Sequence, residues 1–159
     1  MKMIDELYAI EEIKKLKARY FRYMDDGQWD QLALVFAENA YFDATDAVRN
    51  GCKDDSLDQK MGVEWINEGR ENIINFISSS MQGTVSAHHG HMPEITITSE
   101  STAEGIWPMS DTVRKYENGK QVMFLEGAGY YTETYEKIDG SWCIKTSTLT
   151  RIRAVVEEN

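Results

Sequence analysis

Histidine, cysteine and proline are scarce in this 159-residue chain, at three, two and two residues. Cys52 and Cys143 stand in no CxxC or CxxH spacing, which excludes a disulfide framework and a cysteine-based zinc site. No basic segment leads into a short apolar stretch as in a secretory signal, and no apolar run approaches the ~20 residues needed to cross a bilayer. A reducing, cytoplasmic setting is therefore expected. Basic residues are outnumbered, with 17 Lys and Arg against 27 Asp and Glu and a net charge of −10. A polyanion or an acidic membrane surface would be repelled before contact, so neither nucleic acid nor membrane is expected as a partner.

What is present suits one globular domain over 1–159: 42% of the residues are apolar and 11% aromatic, enough for a single sizeable core. Residues 3–27 read as one helix, because Ala9, Ile13, Leu16, Tyr20 and Met24 recur every three or four positions and Gly27 offers a stop. Asp25 and Asp26 then fall at the helix's negative end, where a carboxylate is unfavourable. A second helix is predicted over 29–40 with Asp30 as its N-cap, then a strand opening at Tyr41-Phe42, and a third helix over 70–81. Residues 43–66 are polar, aperiodic and acidic, the composition of a long loop or lid.

Beyond residue 84 the pattern is that of strands. Asn118-Gly119 and Asp139-Gly140 have the composition of two-residue hairpin loops and divide the chain into strands near 84–99, 102–117, 120–138 and 141–153. Gly90, Gly105, Gly127 and Gly129 are candidate bends or bulges. Three helices followed by a long curved antiparallel sheet make an α+β domain, which becomes a cone with an internal cavity if the sheet curls around the first helix.

All three histidines lie within SAHHGHMPEI, residues 86–95. His89 and His91 share one strand face and could offer two ligands to a metal, but no acidic residue stands nearby at a familiar ligand spacing. As a general base, one histidine would need a carboxylate to hold its tautomer and donors for developing negative charge. Asp25 is a natural orienter, Tyr20 could supply a phenol, and Arg151 could turn inward between Leu149 and Ile152. In the strand 103–113, alternation puts Trp107, Met109, Asp111 and Val113 on one face, so Asp111 is either partly desolvated, with raised proton affinity, or wet at an exposed strand end. The bland reading of all these residues is a satisfied buried polar network. Parity counted from Ile95 and Ile97 favours His89 and His91 as inward, while a bulge between Gly90 and Pro93 would favour His88. Periodicity does not choose.

The segments AIEEIKKLKARYFRYMDDGQWDQL, SAHHGHMPEITITSESTAEGIWPMSD and GAGYYTETYEKIDGSWCIKTSTLTRI resemble the SnoaL-like branch of the nuclear-transport-factor-2-like (NTF2-like) cone fold. Within that branch the likeness is strongest to the bile-acid 7α-dehydratase group of steroid lyases; scytalone dehydratases and hexachlorocyclohexane dehydrochlorinases are more distant. The resemblance implies a cofactor-free, metal-free dehydratase with Asp25 and His88 as catalytic dyad, and Tyr20, Asp111 and Arg151 as the other polar site residues. Trp107, Met109 and His91 would contact a hydrophobic carbonyl-bearing substrate such as a 3-oxo steroid. In that scheme Asp111 is either a protonated acid for the leaving hydroxyl or a carboxylate fixed by Arg151. A double-bond isomerase of ketosteroid type and a non-catalytic binding or assembly module are the competing functions. A homo-oligomer is expected, because the outer face of the long sheet should carry Tyr130, Tyr131 and Tyr135, which cannot all fit inside one cone; the family resemblance implies a trimer before a dimer.

Overall fold

The computed structural model describes residues 2–47 and 65–159; most of the expected loop, 48–64, lies outside them. In chain order the elements are α1 (Met3–Asp25), α2 (Trp29–Ala33), β1 (Phe36–Asp43), β2 (Ile66–Glu68), α3 (Arg70–Ser80), β3 (Thr84–Gly90), β4 (Glu94–Ile97), β5 (Thr102–Glu117), β6 (Lys120–Ile138) and β7 (Ser141–Glu158). One sheet runs β2-β1-β7-β6-β5-β3, with β4 joining β5 beyond β3. Among the described strands only the β1 and β7 pair is parallel. The helices cover one face of this strongly bent sheet, which is the α+β cone that the sequence predicts.

The stripe on α1 packs as its period requires. Ala9, Ile13, Leu16, Tyr20, Phe21 and Met24 are buried against Trp107, Met109, Tyr131, Tyr135, Ile144 and Leu149 of the sheet. The helix ends at Asp25, and Gly27 takes the left-handed φ of +67° that lets the chain leave. Both hairpins close through positive-φ pairs, Asn118 with Gly119 and Asp139 with Gly140, which matches the twist of long antiparallel strands.

Four expectations need correction. The second helix stops at Ala33, because Val35, Phe36 and Ala37 are wholly or almost wholly buried and the chain from Phe36 pairs with β7; tertiary pairing overrides the helical propensity of Ala and Glu. Asp30 lies in that helix's first turn, and Gln28 holds the cap position without a side-chain cap bond. Strand 84–99 is two strands, broken at His91-Met92-Pro93 where Pro93 has no N–H to give a ladder. The tyrosines divide: Tyr131 and Tyr135 are buried inside the cone, and only Tyr130, 41% exposed, belongs to the outer face.

Glycines make room for two of the large inward side chains, Tyr135 and Arg151. A Cβ on Gly105 would stand 3.2 Å from the Tyr135 ring, and one on Gly127 would stand 2.6 Å from an Arg151 guanidinium nitrogen. These positions are clearances for large inward side chains rather than bends. Gly129 sits at a register shift on β6, between Ala128 and Gly129, and Gly90 ends β3 at the break before β4, where four steps from 90 to 94 match three from 109 to 106.

Candidate active site

The break after β3 decides which histidine turns inward. His88 is directly opposite Asp111 across β3 and β5, whereas Ile95 is opposite Gly105 across β4 and β5. Seven steps from 88 to 95 therefore match six from 111 to 105, and the extra residue resets the alternation. His88 and Asp111 share the concave face with Trp107 and Met109, and the His88 side chain is 7% exposed. His89 and His91 are exposed; His91 Nε2 lies 3.0 Å from Ser110 Oγ. Among the described residues no group of three or more His, Cys, Asp or Glu is placed to hold a metal ion.

Asp25, misplaced by the rules of its own helix, is held from β3. Its Oδ1 lies 2.6 Å from His88 Nδ1 and accepts from Ser86 Oγ at 2.8 Å, and its Oδ2 accepts the His88 backbone N–H at 2.9 Å. Burial pushes the Asp25 carboxyl up, but the hydrogen bonds from the His88 ring, the His88 backbone and Ser86 outweigh it and hold the group below its usual 3.8. An ionised carboxylate only accepts, so Nδ1 carries the imidazole proton and Nε2 is left as the basic nitrogen. Nε2 faces inward, 3.7 Å from Asp111 Oδ2, too far for a hydrogen bond between them. The Phe21 ring lies nearly parallel to the imidazole, with 12° between planes and 6.5 Å between centroids.

Asp111 meets Arg151 as a fork, Nη1 to Oδ1 at 2.6 Å and Nη2 to Oδ2 at 2.8 Å, both side chains almost wholly buried. Burial disfavours the charged guanidinium, yet hydrogen bonding and charge from Asp111 raise the Arg151 pKa above its ordinary value. This bidentate pairing is the geometry of an ionised carboxylate. Arg151 also donates Nε–H to the Ala47 carbonyl at 2.7 Å, and its backbone N–H goes to Asp46 Oδ2 at 2.6 Å. It therefore ties Asp111 to the turn at 45–47.

Tyr20 is 1% exposed, and its hydroxyl donates to that of Tyr131 at 3.4 Å. Burial, first among several causes, raises its pKa well above the ordinary phenol value, and burial raises Tyr131 as well. Both are neutral donors at any ordinary pH. Met109 Sδ sits 3.6 Å from Arg151 Nη1, and the Trp107 indole donates to Tyr135 Oη at 2.8 Å. A cleft of about 370 Å³ between α1 and the β3–β4 edge is lined by Phe21, His88, Gly90, His91, Pro93 and Trp107 among others, so His91 and Trp107 reach the neighbourhood of His88 without joining its hydrogen bonds.

Sequence reasoning missed a second polar cluster beside the first. Lys17, Glu133 and Ser147 are buried within the core, and Lys17, Ser147 and Tyr135 all donate to the Glu133 carboxylate. A signal for it exists in the chain: Lys17 lies between Ile13 and Tyr20 on the buried stripe of α1, and Glu133 alternates with Tyr131 and Tyr135 on β6.

An α+β cone with a polar cluster deep in its concave face defines the class of this protein: it is an NTF2-like domain. More narrowly, the chain belongs to the SnoaL-like domain family, whose model matches residues 5–148. Solved structures agree on the fold. A proposed scytalone dehydratase from Novosphingobium aromaticivorans is 17% identical with a TM-score of 0.73, covering 94% of this chain and 87% of its own. The hexachlorocyclohexane dehydrochlorinase LinA-type3 from Novosphingobium barchaimii is 18% identical with a TM-score of 0.73, covering 98% and 94%. A calcium/calmodulin-dependent protein kinase II association domain proposed in Xanthomonas campestris is 16% identical with a TM-score of 0.62, covering 88% and 85%. The same cone thus accompanies enzyme names and an assembly name.

The Asp25 shift predicts a pH dependence. A depressed carboxyl stabilises the fold fully above its unfolded-state value and loses that contribution as pH falls through the lower folded-state value. The stability lost in Asp25→Asn, measured by urea unfolding at a series of pH values, should be constant above about pH 5 and shrink below 3.8. A loss independent of pH down to about pH 2 would contradict the assignment of Asp25 as an ionised acceptor.

Proposed function

We propose that the protein is a cofactor-independent lyase that eliminates water from a hydrophobic, carbonyl-bearing hydroxylated substrate, with a 3-oxo steroid as the working example. The observation that carries the reading is the short Asp25–His88 contact, 2.6 Å, which leaves Nε2 as a base inside the cone. Nε2 takes a proton acidified by the substrate carbonyl; the electrons of the broken C–H bond move toward that oxygen, and the Tyr20 O–H turns from Tyr131 to donate to the oxyanion while Tyr131 donates to Tyr20 in its place. Collapse of the enolate expels the β-hydroxyl, which leaves as water with a proton. The imidazolium formed on the way lies between two carboxylates, Asp25 and Asp111, which offset its charge.

The fork between Arg151 and Asp111 bears on the leaving group. A carboxylate already committed to a guanidinium is a poor acid, so the proton that makes water comes from His88 itself, and Asp111 with Arg151 serves to place and charge-balance the imidazole. The same observation supports the isomerase reading, since a proton shuttled by one base needs no separate acid. Nothing in this chemistry calls for a cofactor.

A homo-oligomer, a trimer before a dimer, is part of the same reading. It is supported by an uncharged patch on the sheet's outer face, where Pro108, Tyr130 and Thr150 lie in one row and Ile106, Thr132 and Thr148 in the next. Ile106 and Tyr130 are 40% and 41% exposed there. Light scattering of the wild type should give a multiple of the chain mass that falls toward the monomer in Tyr130→Asp/Ile106→Asp; a monomeric wild type would remove the proposal.

Turnover decides the reaction. With hydroxy-3-oxo steroids and smaller cyclic hydroxyketones as substrates, wild type should release a product lighter by one water. His88→Ala should lose on the order of a hundredfold or more in kcat, the usual scale for a positioned base. Chelator-treated protein should behave as wild type. Product of unchanged mass with a shifted double bond would make the protein an isomerase, loss of activity on chelation would return 88–91 to the metal reading, and an inert wild type would favour the binding module.

A further inference from the structure

Lys17 leaves the solvated side of α1 and enters the core, where none of its side chain is exposed. An ammonium has three N–H donors to place. Glu133 Oε1, at 2.5 Å, takes one. The others meet no oxygen partner among the described residues; instead the ring centroids of Tyr131 and Tyr20 lie 3.7 and 4.0 Å from Nζ, with Phe21 at 4.9 Å. These rings include the two whose hydroxyls meet at 3.4 Å, and the pair is itself edge-packed at 78°.

Glu133 is held just as firmly. It accepts Ser147 Oγ at 2.8 Å and Tyr135 Oη at 2.6 Å, and Tyr135 is in turn held by the Trp107 indole at 2.8 Å. Burial lowers the Lys17 pKa, and the charge and hydrogen bond of Glu133 oppose that shift. Packing does not require such a pair, because apolar side chains of similar volume commonly replace a buried ion pair without loss of stability. What apolar side chains would not do is hold two phenol rings by their faces with a charge.

We propose that Lys17 is a positioning residue: its ammonium, anchored by Glu133, clamps the faces of Tyr20 and Tyr131 and fixes the direction in which their hydroxyls enter the site. This rests on the reading of Tyr20 as donor to the substrate oxyanion. Its ammonium bonds to Glu133 and to neither Asp25 nor His88, so it acts on the phenols it touches and not on the base. Lys17 touches no reacting atom.

The test uses Glu133→Gln alone, nearly isosteric but leaving Lys17 without its counter-charge, and Lys17→Met/Glu133→Gln, which removes both charges, keeps the volumes and decides the matter if the single variant does not fold. Tyr20→Phe is run beside them, and also in the Lys17→Met/Glu133→Gln background. The readouts are kcat and KM on the hydroxy-3-oxo steroids and the affinity for 2-naphthol, an oxyanion mimic that needs no turnover.

Both charge variants should lose about tenfold or more in kcat with KM within about threefold, a smaller effect than deleting an oxyanion donor outright. They should lose naphthol affinity by a similar factor. Tyr20→Phe should add little in the doubly substituted background, since both changes act through the same hydroxyls. Wild-type turnover and naphthol binding in the charge variants, with Tyr20→Phe impaired, would overturn the proposal and leave the donor reading standing. Tyr20→Phe indistinguishable from wild type, or a wild type that neither binds naphthol nor turns over, would sink the donor reading and the Lys17 role with it.

Discussion

Asp25 ends α1 where helix carbonyls point outward and a negative charge is unwelcome. The position is tenable because β3 gives it three hydrogen bonds, from the His88 ring, the His88 backbone and Ser86. The rest of the site is built on that contact. It closes the first helix onto a strand 61 to 63 residues away in sequence, and it holds the imidazole with one nitrogen occupied and the other turned to the concave face. The local cost at the helix end and the local order at the histidine are one interaction seen from its two sides.

Two buried ion pairs flank it. Asp111 with Arg151 joins β5 to β7 and to the turn at 45–47, while Lys17 with Glu133 joins α1 to β6. Such pairs add little net stability once desolvation is counted, and removing one partner leaves an unpaired charge that costs about 3–5 kcal/mol. Their value is geometric: each admits one arrangement of the elements it joins. Clearance for Arg151 comes from Gly127 and for Tyr135 from Gly105, so the small residues of the sheet and its large polar ones fit as matched sets.

Much of the fold is legible in the chain. The period of α1, the two positive-φ hairpin loops and the alternation through Asp111 each specify one local answer, and the structure gives it. Phe36 to Ala40 read as helix in isolation, because their strand state is set by β7, more than a hundred residues later. The histidines are ambiguous for a similar reason: which of them faces inward depends on one extra residue beside Pro93, and only the partner strand reveals that the count is uneven. Tyr131 and Tyr135 read as outer-face residues by volume, because nothing local announces that Gly105 makes room for the Tyr135 ring. Lys17 is legible in principle, since a lysine on an apolar stripe needs a buried counter-charge, but naming Glu133 requires the packing of α1 on β6.

The central claim is that Asp25 fixes the His88 tautomer so that Nε2 is a free base on the concave face. Nitrogen-15 NMR of the histidine rings near neutral pH measures it directly. The account predicts that neutral His88 carries its proton on Nδ1 with Nε2 bare, and that Asp25→Asn mixes the tautomers. A neutral His88 protonated on Nε2 in the wild type would contradict it.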